Sequence, residues 1–314
     1  MALQNLREFL SEKTCYDILP ESYRLIVFDN SLGIKRALTA LMTNGVVSAP
    51  LYDSTSFRFC GMFTLTDVIH HDPYALAAAE VESFPLSRLR DIEQAIDAPP
   101  PPTVHVHPDA PLLEACEQLI RTHARRIPLI DQDATTGKDA ILCVLTQYRV
   151  LKFIAININS INWITRNRIL PHSDHDPFHP LATATLQTTV FDVVHMFSER
   201  GISAVPIVDE NGSVVDLYEA VDIVDLVRSD AYRLLDLTIE EAIARRSPDY
   251  CGVTVCSADD SLSNILKYIG ERRVHRFVIV DDLITQTQNR LVGILSLSDI
   301  MKHLVGNKGK SLQG

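Results

Sequence analysis

Four short segments, each following an apolar run, carry side chains suited to binding chemistry. Three of them have an aspartate as their fourth residue, and the other has an arginine there. Such a carboxylate can accept hydrogen bonds from the hydroxyls of a ribose. A Ser or Thr followed three residues later by an acid is also the pattern of a helix cap, so capping is the competing interpretation. The segments are Thr64-Leu65-Thr66-Asp67, Thr146-Gln147-Tyr148-Arg149, Glu219-Ala220-Val221-Asp222 and Ser296-Leu297-Ser298-Asp299.

Basic residues gather near the same segments, most of them just ahead of an apolar run. Arg126 and Arg276 recur at one register, five residues before Asp131 and Asp281. A guanidinium presents a planar fork to phosphate oxygens, so arginine and carboxylate in one cleft favour a nucleotide site. For any single pair, a solvated charged face is the alternative. The groups are Arg125 with Arg126, Arg149 with Lys152, Arg245 with Arg246, and Arg272 and Arg273 with His275 and Arg276.

The chain lacks the motifs of common catalytic and metal sites. Neither a G-x-x-x-x-G-K-[ST] phosphate loop nor a G-x-S-x-G nucleophile turn occurs. With only 12 glycines, phosphate must be met mainly by side chains. His172, His175 and His179 have a spacing that could suit a metal, but no cysteine or carboxylate pair completes a site. We therefore expect no catalytic residue, no metal and no enzymatic activity.

The composition is that of a globular protein with a large core. The length of 314 residues predicts about two folded units, and 46% of the residues are hydrophobic. A formal charge of −11 disfavours nucleic-acid binding through a basic surface. No apolar run is long enough for a membrane helix, and the first residues lack the order of a secretion signal. Six cysteines without a Cys-x-x-Cys pair suit a reducing compartment, so we expect a cytoplasmic protein that also enters the nucleus.

The segments belong to an internal repeat. Four apolar runs, at residues 49–53, 127–131, 205–209 and 277–281, end in aspartate and recur at near-equal spacing. Turn-forming residues and a second apolar run follow each one, which predicts two strands joined by a turn. An amphipathic stretch precedes the first of these strands, and a helix-like segment closes the unit. We therefore predict an α/β (α+β) fold with four copies of the order strand, helix, strand, strand, helix.

The repeat also divides the chain. We expect an N-terminal helix or arm over residues 1–14, whose apolar face consists of Leu3, Leu6, Phe9 and Leu10. The four repeats occupy residues 15–76, 98–159, 176–231 and 248–305. A flexible tail is expected over 306–314. A proline-rich connector at 98–102 and a polar loop at 172–177 lie near the repeat boundaries.

Several strings within the repeats resemble a known family. The repeats look like cystathionine β-synthase (CBS) domains, and residues 6–304 resemble the gamma regulatory subunits of AMP-activated protein kinase, especially their fungal forms. The strings are Cys15-Tyr16-Asp17-Ile18-Leu19-Pro20, Val47-Ser48-Ala49-Pro50-Leu51, Arg126-Ile127-Pro128-Leu129-Ile130-Asp131, Leu145-Thr146-Gln147-Tyr148-Arg149-Val150-Leu151-Lys152-Phe153, Val274-His275-Arg276 and Leu295-Ser296-Leu297-Ser298-Asp299-Ile300.

The resemblance implies an architecture and a function. Four βαββα CBS repeats would form two Bateman modules in a pseudo-symmetric disk. AMP, ADP and ATP would bind as regulatory ligands in clefts around a central channel, without a cofactor. The implied function is that of a non-catalytic, energy-sensing subunit of a Ser/Thr kinase, with a catalytic alpha subunit and a scaffolding beta subunit as partners. A CBS scaffold with weak or lost nucleotide binding is the alternative, and an enzyme acting on nucleotides has little support.

Matching positions assign the implied nucleotide contacts residue by residue. The positions expected near ribose are Thr66, Asp67, Asp222, Ser298 and Asp299, with Ser296 in the same nucleotide-binding set. Those expected near phosphate are Arg126, Arg149, Lys152, Arg246, His275 and Arg276. Those expected around adenine and the sugar are Ala182, Ile202, Ser203 and Ala204.

Some positions depart from the family pattern. Val47 stands where animal members carry an arginine, which weakens phosphate binding in the first pair of repeats. Arg125 replaces a histidine, and Tyr148 replaces an expected lysine. Pro177 and Pro180 replace Thr and Asn, which would hydrogen-bond the ligand.

The four copies are therefore unequal. The second carries Arg149 in the register of the acids, whereas the fourth is the most complete. We expect two or three uneven clefts, weighted toward the third and fourth repeats. His275 belongs to the residue type that titrates near neutral pH, so we expect nucleotide affinity to depend on pH through this residue.

Overall fold

The structure is a computed structural model that describes residues 2–64, 85–88, 103–122, 125–158, 181–227, 236–246, 250, 252–281 and 289–306. The order of helices and strands repeats along the chain as the sequence predicts, and the result is a mixed α/β fold. Among the described helices, none combines the length and the apolar character needed to cross a lipid bilayer.

The first repeat follows an N-terminal helix. In this repeat β2 lies between a short parallel strand, β1, and an antiparallel strand, β3. The closing segment predicted around Thr66 and Asp67 lies outside the described residues. A 3-10 turn at Leu86–Arg88 is described further along the chain. The elements are α1 (Ala2–Glu12), β1 (Phe28–Asp29), α2 (Ile34–Thr43), β2 (Ser48–Asp53) and β3 (Arg58–Thr64).

The second and third repeats each contain an antiparallel strand pair between two helices. The predicted opening strand is reduced to one parallel bridge, Val106 with Leu129 or Ala184 with Ile207. The second repeat consists of α3 (Leu112–Arg121), β4 (Arg126–Gln132), β5 (Asp139–Thr146) and α4 (Gln147–Ile156). The third consists of α5 (Val190–Arg200), β6 (Ala204–Val208), β7 (Val214–Glu219) and α6 (Ala220–Val227), followed by α7 (Ile239–Ile243).

The fourth repeat has the full predicted order. Its central strand, β9, pairs in parallel with β8 and antiparallel with β10. The elements are β8 (Val255–Ser257), α8 (Leu262–Glu271), β9 (Arg276–Val280), β10 (Leu291–Ser296) and α9 (Leu297–Val305).

Hydroxyl side chains determine where several of these helices begin. In each case the N-cap oxygen accepts a hydrogen bond from the backbone N–H three residues later, which stabilises a helix start by about 1 kcal/mol. The N-cap residues are Thr146, Thr189, Thr238, Ser261 and Ser296. The closing helices α4 and α9 therefore start at the segments that the sequence marks as chemically interesting.

The repeats share their cores in an alternating way. One compact unit contains residues of the second and fourth repeats, and the other contains residues of the first and third. In the first unit α4 packs against α8 and α9, and buried residues of both repeats form one hydrophobic cluster. Buried residues of the first and third repeats form the second cluster. The pairing of sequential repeats into Bateman modules within a disk stays a prediction.

The N-terminal helix belongs to the unit of the second and fourth repeats. Leu6 and Leu10 are fully buried, which stabilises the docked helix by about 1.5–3 kcal/mol for each side chain. Phe9 stacks on Phe153 of α4, with 5.8 Å between the ring centroids. Arg7 pairs with Glu117 of α3 at 2.7 Å. The predicted amphipathic arm is thus an integral part of this core.

Candidate functional site

Asp299 lies at the start of the closing helix of the fourth repeat. The sequence suggested two roles for it, a ribose ligand and a helix cap. Its Oδ2 accepts hydrogen bonds from the backbone N–H of Ser296 at 2.8 Å and from the Ser296 hydroxyl at 2.6 Å. These contacts form a capping box, so the capping interpretation is correct for this residue. Asp299 Oδ1 has no hydrogen-bond partner among the described residues. Since each carboxylate oxygen has two acceptor positions, Asp299 can still accept two hydrogen bonds.

The second repeat borders this helix start. The Ser298 hydroxyl donates a hydrogen bond to Gln147 Oε1 at 3.0 Å, and Gln147 is the first residue of α4. The backbone N–H of Gln147 in turn donates to the carbonyl of Arg125 at 3.2 Å. This chain of contacts places the basic pair Arg125 and Arg126 of one repeat near Asp299 of the other.

Tyr148 links the basic residues of the two repeats. Its ring centroid lies 6.0 Å from that of His275, and its hydroxyl donates to the carbonyl of Arg272 at 3.3 Å. The ammonium group of Lys152 lies 5.9 Å from the same ring. The predicted phosphate residues Lys152, His275 and Arg276 therefore gather where β9 and α4 meet.

The cluster has a strongly positive field. Burial of the imidazole lowers the pKa of His275 to about 4, and the positive charges of Arg273, Arg126, Arg276 and Arg125 act in the same direction. Burial, Arg125 and Arg273 also lower the pKa of Arg126, to about 10. Burial, reinforced by these guanidinium groups, disfavours the charged imidazole of His275 in the free chain. The expected dependence of nucleotide affinity on pH through this residue stays a prediction.

The hydrogen-bond partners of Arg149 belong to its own repeat. Its backbone N–H is capped by the Thr146 hydroxyl at 3.1 Å, and its Nη1 lies 3.0 Å from the buried thiol of Cys143. Its assignment to a phosphate stays a prediction.

In the third repeat, Asp222 and Arg246 bind each other. Arg246 Nε donates to Asp222 Oδ1 at 2.9 Å, and Arg246 Nη2 donates to Asp222 Oδ2 at 2.7 Å. Arg246 Nη1 donates to Asp216 Oδ1 at 2.9 Å. The side chains of Arg246, Asp222 and Asp216 are only 6%, 11% and 17% exposed. Two residues expected to hold different parts of a nucleotide thus form one buried ion network.

Aromatic rings enclose this network. The Arg246 guanidinium lies 4.3 Å from the Tyr250 ring centroid and 5.8 Å from that of Tyr218, within cation–π range. The Tyr250 hydroxyl donates to Asp216 Oδ1 at 3.1 Å, and burial raises the pKa of Tyr250. Burial alone would lower the pKa of Arg246, but Asp222 and Asp216 outweigh that effect and raise it. Arg246 therefore stays positively charged, and its Nε, Nη1 and Nη2 each donate a hydrogen bond to a carboxylate of the network.

Sequence reasoning missed Asp216 and Tyr250. Asp216 is the third residue of the second apolar run of its repeat, where the other repeats have Gly61, Cys143 and Gly293. The sequence offered one signal for Asp216, because this acid occupies a position that is small or apolar in the other repeats. No local sequence pattern marks Tyr250.

The remaining predicted residues of the third repeat lie beside α6. The carbonyl of Ser203 accepts a hydrogen bond from the N–H of Ala220, and Ala204 pairs with Glu219 across the sheet. Ser203 and Ala204 are buried, and Ile202 and Ala182 pack on the same core. Residues 202–204 therefore neighbour the helix start that carries Asp222.

Several sequence predictions fall outside the described residues. They concern Thr66 and Asp67, the histidine loop at 172–179, Pro177 and Pro180, and the tail after residue 306. In the part of the chain that is described, no group of three or more His, Cys, Asp or Glu side chains is arranged to hold a metal ion.

Comparison with known families defines the class of protein. The CBS domain model matches residues 92–156, 175–229 and 249–306, which covers the second, third and fourth repeats. An archaeal protein from Methanocaldococcus jannaschii, described as a candidate homologue of gamma-AMPK, shares the fold with a TM-score of 0.67 at 16% identity. The alignment covers 93% of this chain and 99% of the archaeal one. The fold and the repeats are those of a CBS-domain protein.

Closer relatives narrow the class to one family. The chain is 41% identical over 311 residues to the 5'-AMP-activated protein kinase subunit gamma of Saccharomyces cerevisiae, covering 97% of this chain and 94% of the relative. It is 43% identical over 312 residues to the Kluyveromyces lactis subunit, covering 97% and 92%. Human subunit gamma-3 is 34% identical over 95% of this chain and 60% of its own length. The chain belongs to the family of AMP-activated protein kinase gamma subunits.

Proposed function

We propose that this chain is a non-catalytic, energy-sensing regulatory subunit of a heterotrimeric Ser/Thr protein kinase. It binds AMP, ADP and ATP reversibly in its CBS clefts, without a cofactor, and nucleotide binding changes kinase activity. Its partners are a catalytic alpha subunit and a scaffolding beta subunit, in the cytoplasm and the nucleus. Family membership supports the regulatory role.

One observation carries the proposal for nucleotide binding. The carboxylate of Asp299 keeps two acceptor positions open while its helix start is linked through Ser298 and Gln147 to the basic strand of the second repeat. A ribose offers two adjacent hydroxyls, and its phosphate group is anionic. One nucleotide can therefore bind the Asp299 carboxylate through its ribose and the basic residues through its phosphate.

The cluster of positive charges around His275 supports the proposal that the ligand carries a phosphate group. Among the described residues, the side chains of Arg126 and Arg273 have no hydrogen-bond or ion-pair partner, although both lie close enough to influence His275. Like charges held together raise the free energy of the unliganded protein, and an anionic ligand relieves that repulsion. Binding energy arises partly from this relief.

Regulation requires that the nucleotides differ in their preference for at least two arrangements of the kinase complex. AMP, ADP and ATP differ chiefly in phosphate charge, so they differ most in how they engage the basic cluster. A nucleotide with equal affinity for both arrangements would regulate nothing.

Calorimetric titration of the chain with AMP, ADP and ATP tests the proposal. We expect Asp299→Ala to weaken binding by about 1–3 kcal/mol, because it removes the ribose acceptor. Asp192→Ala is the matched control: Asp192 receives the Thr189 hydroxyl at 2.7 Å in a helix start outside the predicted clefts. Equal losses in both variants would indicate a capping effect alone. Absence of binding to the unmodified chain would favour the scaffold alternative.

A further inference from the structure

A short connector between α8 and β9 carries basic residues of the fourth repeat. The helix ends with Arg272 as its C-cap, whose N–H donates to the Tyr268 carbonyl at 2.9 Å, and β9 begins at Arg276. The backbone turns extended at Arg272, and residues 273–275 belong to no helix or strand. The position of His275 in this connector therefore depends on contacts with other parts of the protein.

Tyr148 of the second repeat supplies such contacts. Its hydroxyl donates to the carbonyl of Arg272 at 3.3 Å, and its ring centroid lies 6.0 Å from that of His275 at an interplanar angle of 53°. Carbonyls at the end of a helix lack a partner within the helix, so this hydroxyl both satisfies an acceptor and anchors the connector. One side chain thus contacts the connector at its first residue and at its histidine.

Tyr148 also contacts a basic side chain of its own helix. Lys152 follows four residues later on the same face of α4, and its ammonium group lies 5.9 Å from the Tyr148 ring, within cation–π range. A free lysine side chain samples many rotamers, and fixing it costs conformational entropy. The same ring therefore borders Lys152 and His275, which come from two different repeats.

The two helices that flank the connector contact are packed closely. α4 packs against α8, and a methyl group at position 270 would lie 3.4 Å from Ala155 Cβ, so Gly270 allows this approach. Gln147, the residue before Tyr148, accepts a hydrogen bond from the Ser298 hydroxyl of the fourth repeat at 3.0 Å. The start of α4 is thus held against the fourth repeat at a second point, and it forms a firm support for the connector.

We propose that Tyr148 is a positioning residue: it fixes the connector at residues 272–275 on α4 and so holds His275 and Lys152 side by side for a phosphate group. The inference rests on the proposed function for the identity of the ligand, whereas the positioning itself is a property of the free chain. Tyr148 then raises phosphate affinity without a charge of its own, because it prearranges two groups that would otherwise lose more conformational freedom on binding.

Native-state hydrogen exchange of the Arg272 N–H measures the positioning in the free chain. Tyr148→Leu removes both the ring and the hydroxyl, so we expect this N–H to exchange about tenfold faster. Tyr148→Phe keeps the ring and loses one hydrogen bond, which predicts about threefold. Phe9→Leu is the matched control, because Phe9 stacks on Phe153 of the same helix with 5.8 Å between centroids, and it should leave the exchange of Arg272 unchanged.

Calorimetry with AMP and with adenosine, which lacks the phosphate, tests the consequence for the ligand. We expect Tyr148→Leu to weaken AMP binding about tenfold and adenosine binding less than about twofold, because the lost order concerns the groups for phosphate. A merely structural role would weaken both ligands alike. A general loosening of α4 would be reproduced by Phe9→Leu.

Unchanged exchange of Arg272 in Tyr148→Leu, equal losses for AMP and adenosine, or the same changes in Phe9→Leu would overturn the inference. If Tyr148→Leu does not fold, Tyr148→Phe decides through the same two measurements, since it removes a single hydroxyl.

The two measurements also separate this inference from the proposed function. If the unmodified chain binds neither AMP nor adenosine, the proposed function fails, and the exchange of Arg272 alone decides whether Tyr148 positions the connector. If the chain binds AMP but neither exchange nor affinity responds to Tyr148, only the present inference fails.

Discussion

Asp222 and Asp299 occupy the same register of two closing helices, yet their carboxylates have different partners. Asp299 uses one oxygen to cap its helix and keeps the other open, whereas Asp222 binds Arg246 with both oxygens. The basic residues differ correspondingly. In the second and fourth repeats, the side chains of Arg126 and Arg273 have no carboxylate partner among the described residues, whereas in the third repeat Arg246 donates hydrogen bonds to two carboxylates.

The difference shows that a repeated motif does not ensure a repeated site. A carboxylate and an arginine favour a nucleotide only while each retains unused hydrogen-bonding capacity. When they bind each other, the same two residue types stabilise the fold instead. In the third repeat Asp222 and Arg246 pair in this way, and Asp216 adds a second carboxylate to the network.

The largest effect that would sharpen this comparison concerns stability. Arg246→Ala leaves two buried carboxylates without their cation, so we expect the free energy of unfolding to fall by about 3–5 kcal/mol. Arg126→Ala should cost less than about 1 kcal/mol, because Arg126 has no carboxylate partner among the described residues and its neighbours repel it. Urea unfolding followed by circular dichroism measures both. Similar losses in the two variants would show that the ion network of the third repeat and the basic cluster of the second and fourth repeats do not differ in this way.

A second prediction concerns protons at the fourth repeat. His275 is neutral in the free chain at pH 7, since its pKa is lowered to about 4. A phosphate bound beside it favours the protonated imidazole and raises this pKa, so binding takes up protons and strengthens as pH falls toward the new pKa. The charged groups around the ring are Arg125, Arg126, Arg273, Arg276 and Lys152, the last of these across Tyr148.

Calorimetry in buffers of different ionisation enthalpy measures this proton uptake directly. We expect more uptake at pH 6.5 than at pH 7.5 in the unmodified chain, and a smaller difference in His275→Gln. The remaining difference reports protonation of the phosphate itself. Identical uptake in both chains would mean that His275 does not meet phosphate.

The smallest predicted effect concerns Arg273. Its charge lowers the pKa of His275 and of Arg126, so it belongs to the same positive field. Arg273→Gln should weaken ATP binding about threefold, as expected for one exposed charge. Arg272→Gln is the matched control, because Arg272 contributes to neither shift. Equal losses of ATP affinity in the two variants would show that Arg273 acts only through the net charge of the protein and not through its position.

Much of this arrangement was predictable from sequence. Local signals mark the strand pairs, the capped starts of α4 and α9, and the basic strings before β4 and β9, because each depends on neighbouring residues. The alternation by which the second and fourth repeats share a core was not predictable, since contacts such as Phe9 on Phe153 depend on tertiary packing.

The same limit applies within the sites. Asp222 and Arg246 were both recognised, but their mutual contact spans 24 residues and depends on tertiary folding. The lowered pKa of His275 could not be predicted either, because it reflects burial of the ring and arginines from two repeats, which only the fold brings together.

The most direct test of the difference between the two acids is a paired calorimetric titration with AMP. Asp299→Asn and Asp222→Asn make the same change at the same register and preserve side-chain size. We predict that Asp299→Asn lowers the affinity of the tightest site at least tenfold, whereas Asp222→Asn leaves that site within about twofold. Loss of the tightest site in Asp222→Asn, with Asp299→Asn unaffected, would contradict the assignment of sensing to the fourth repeat.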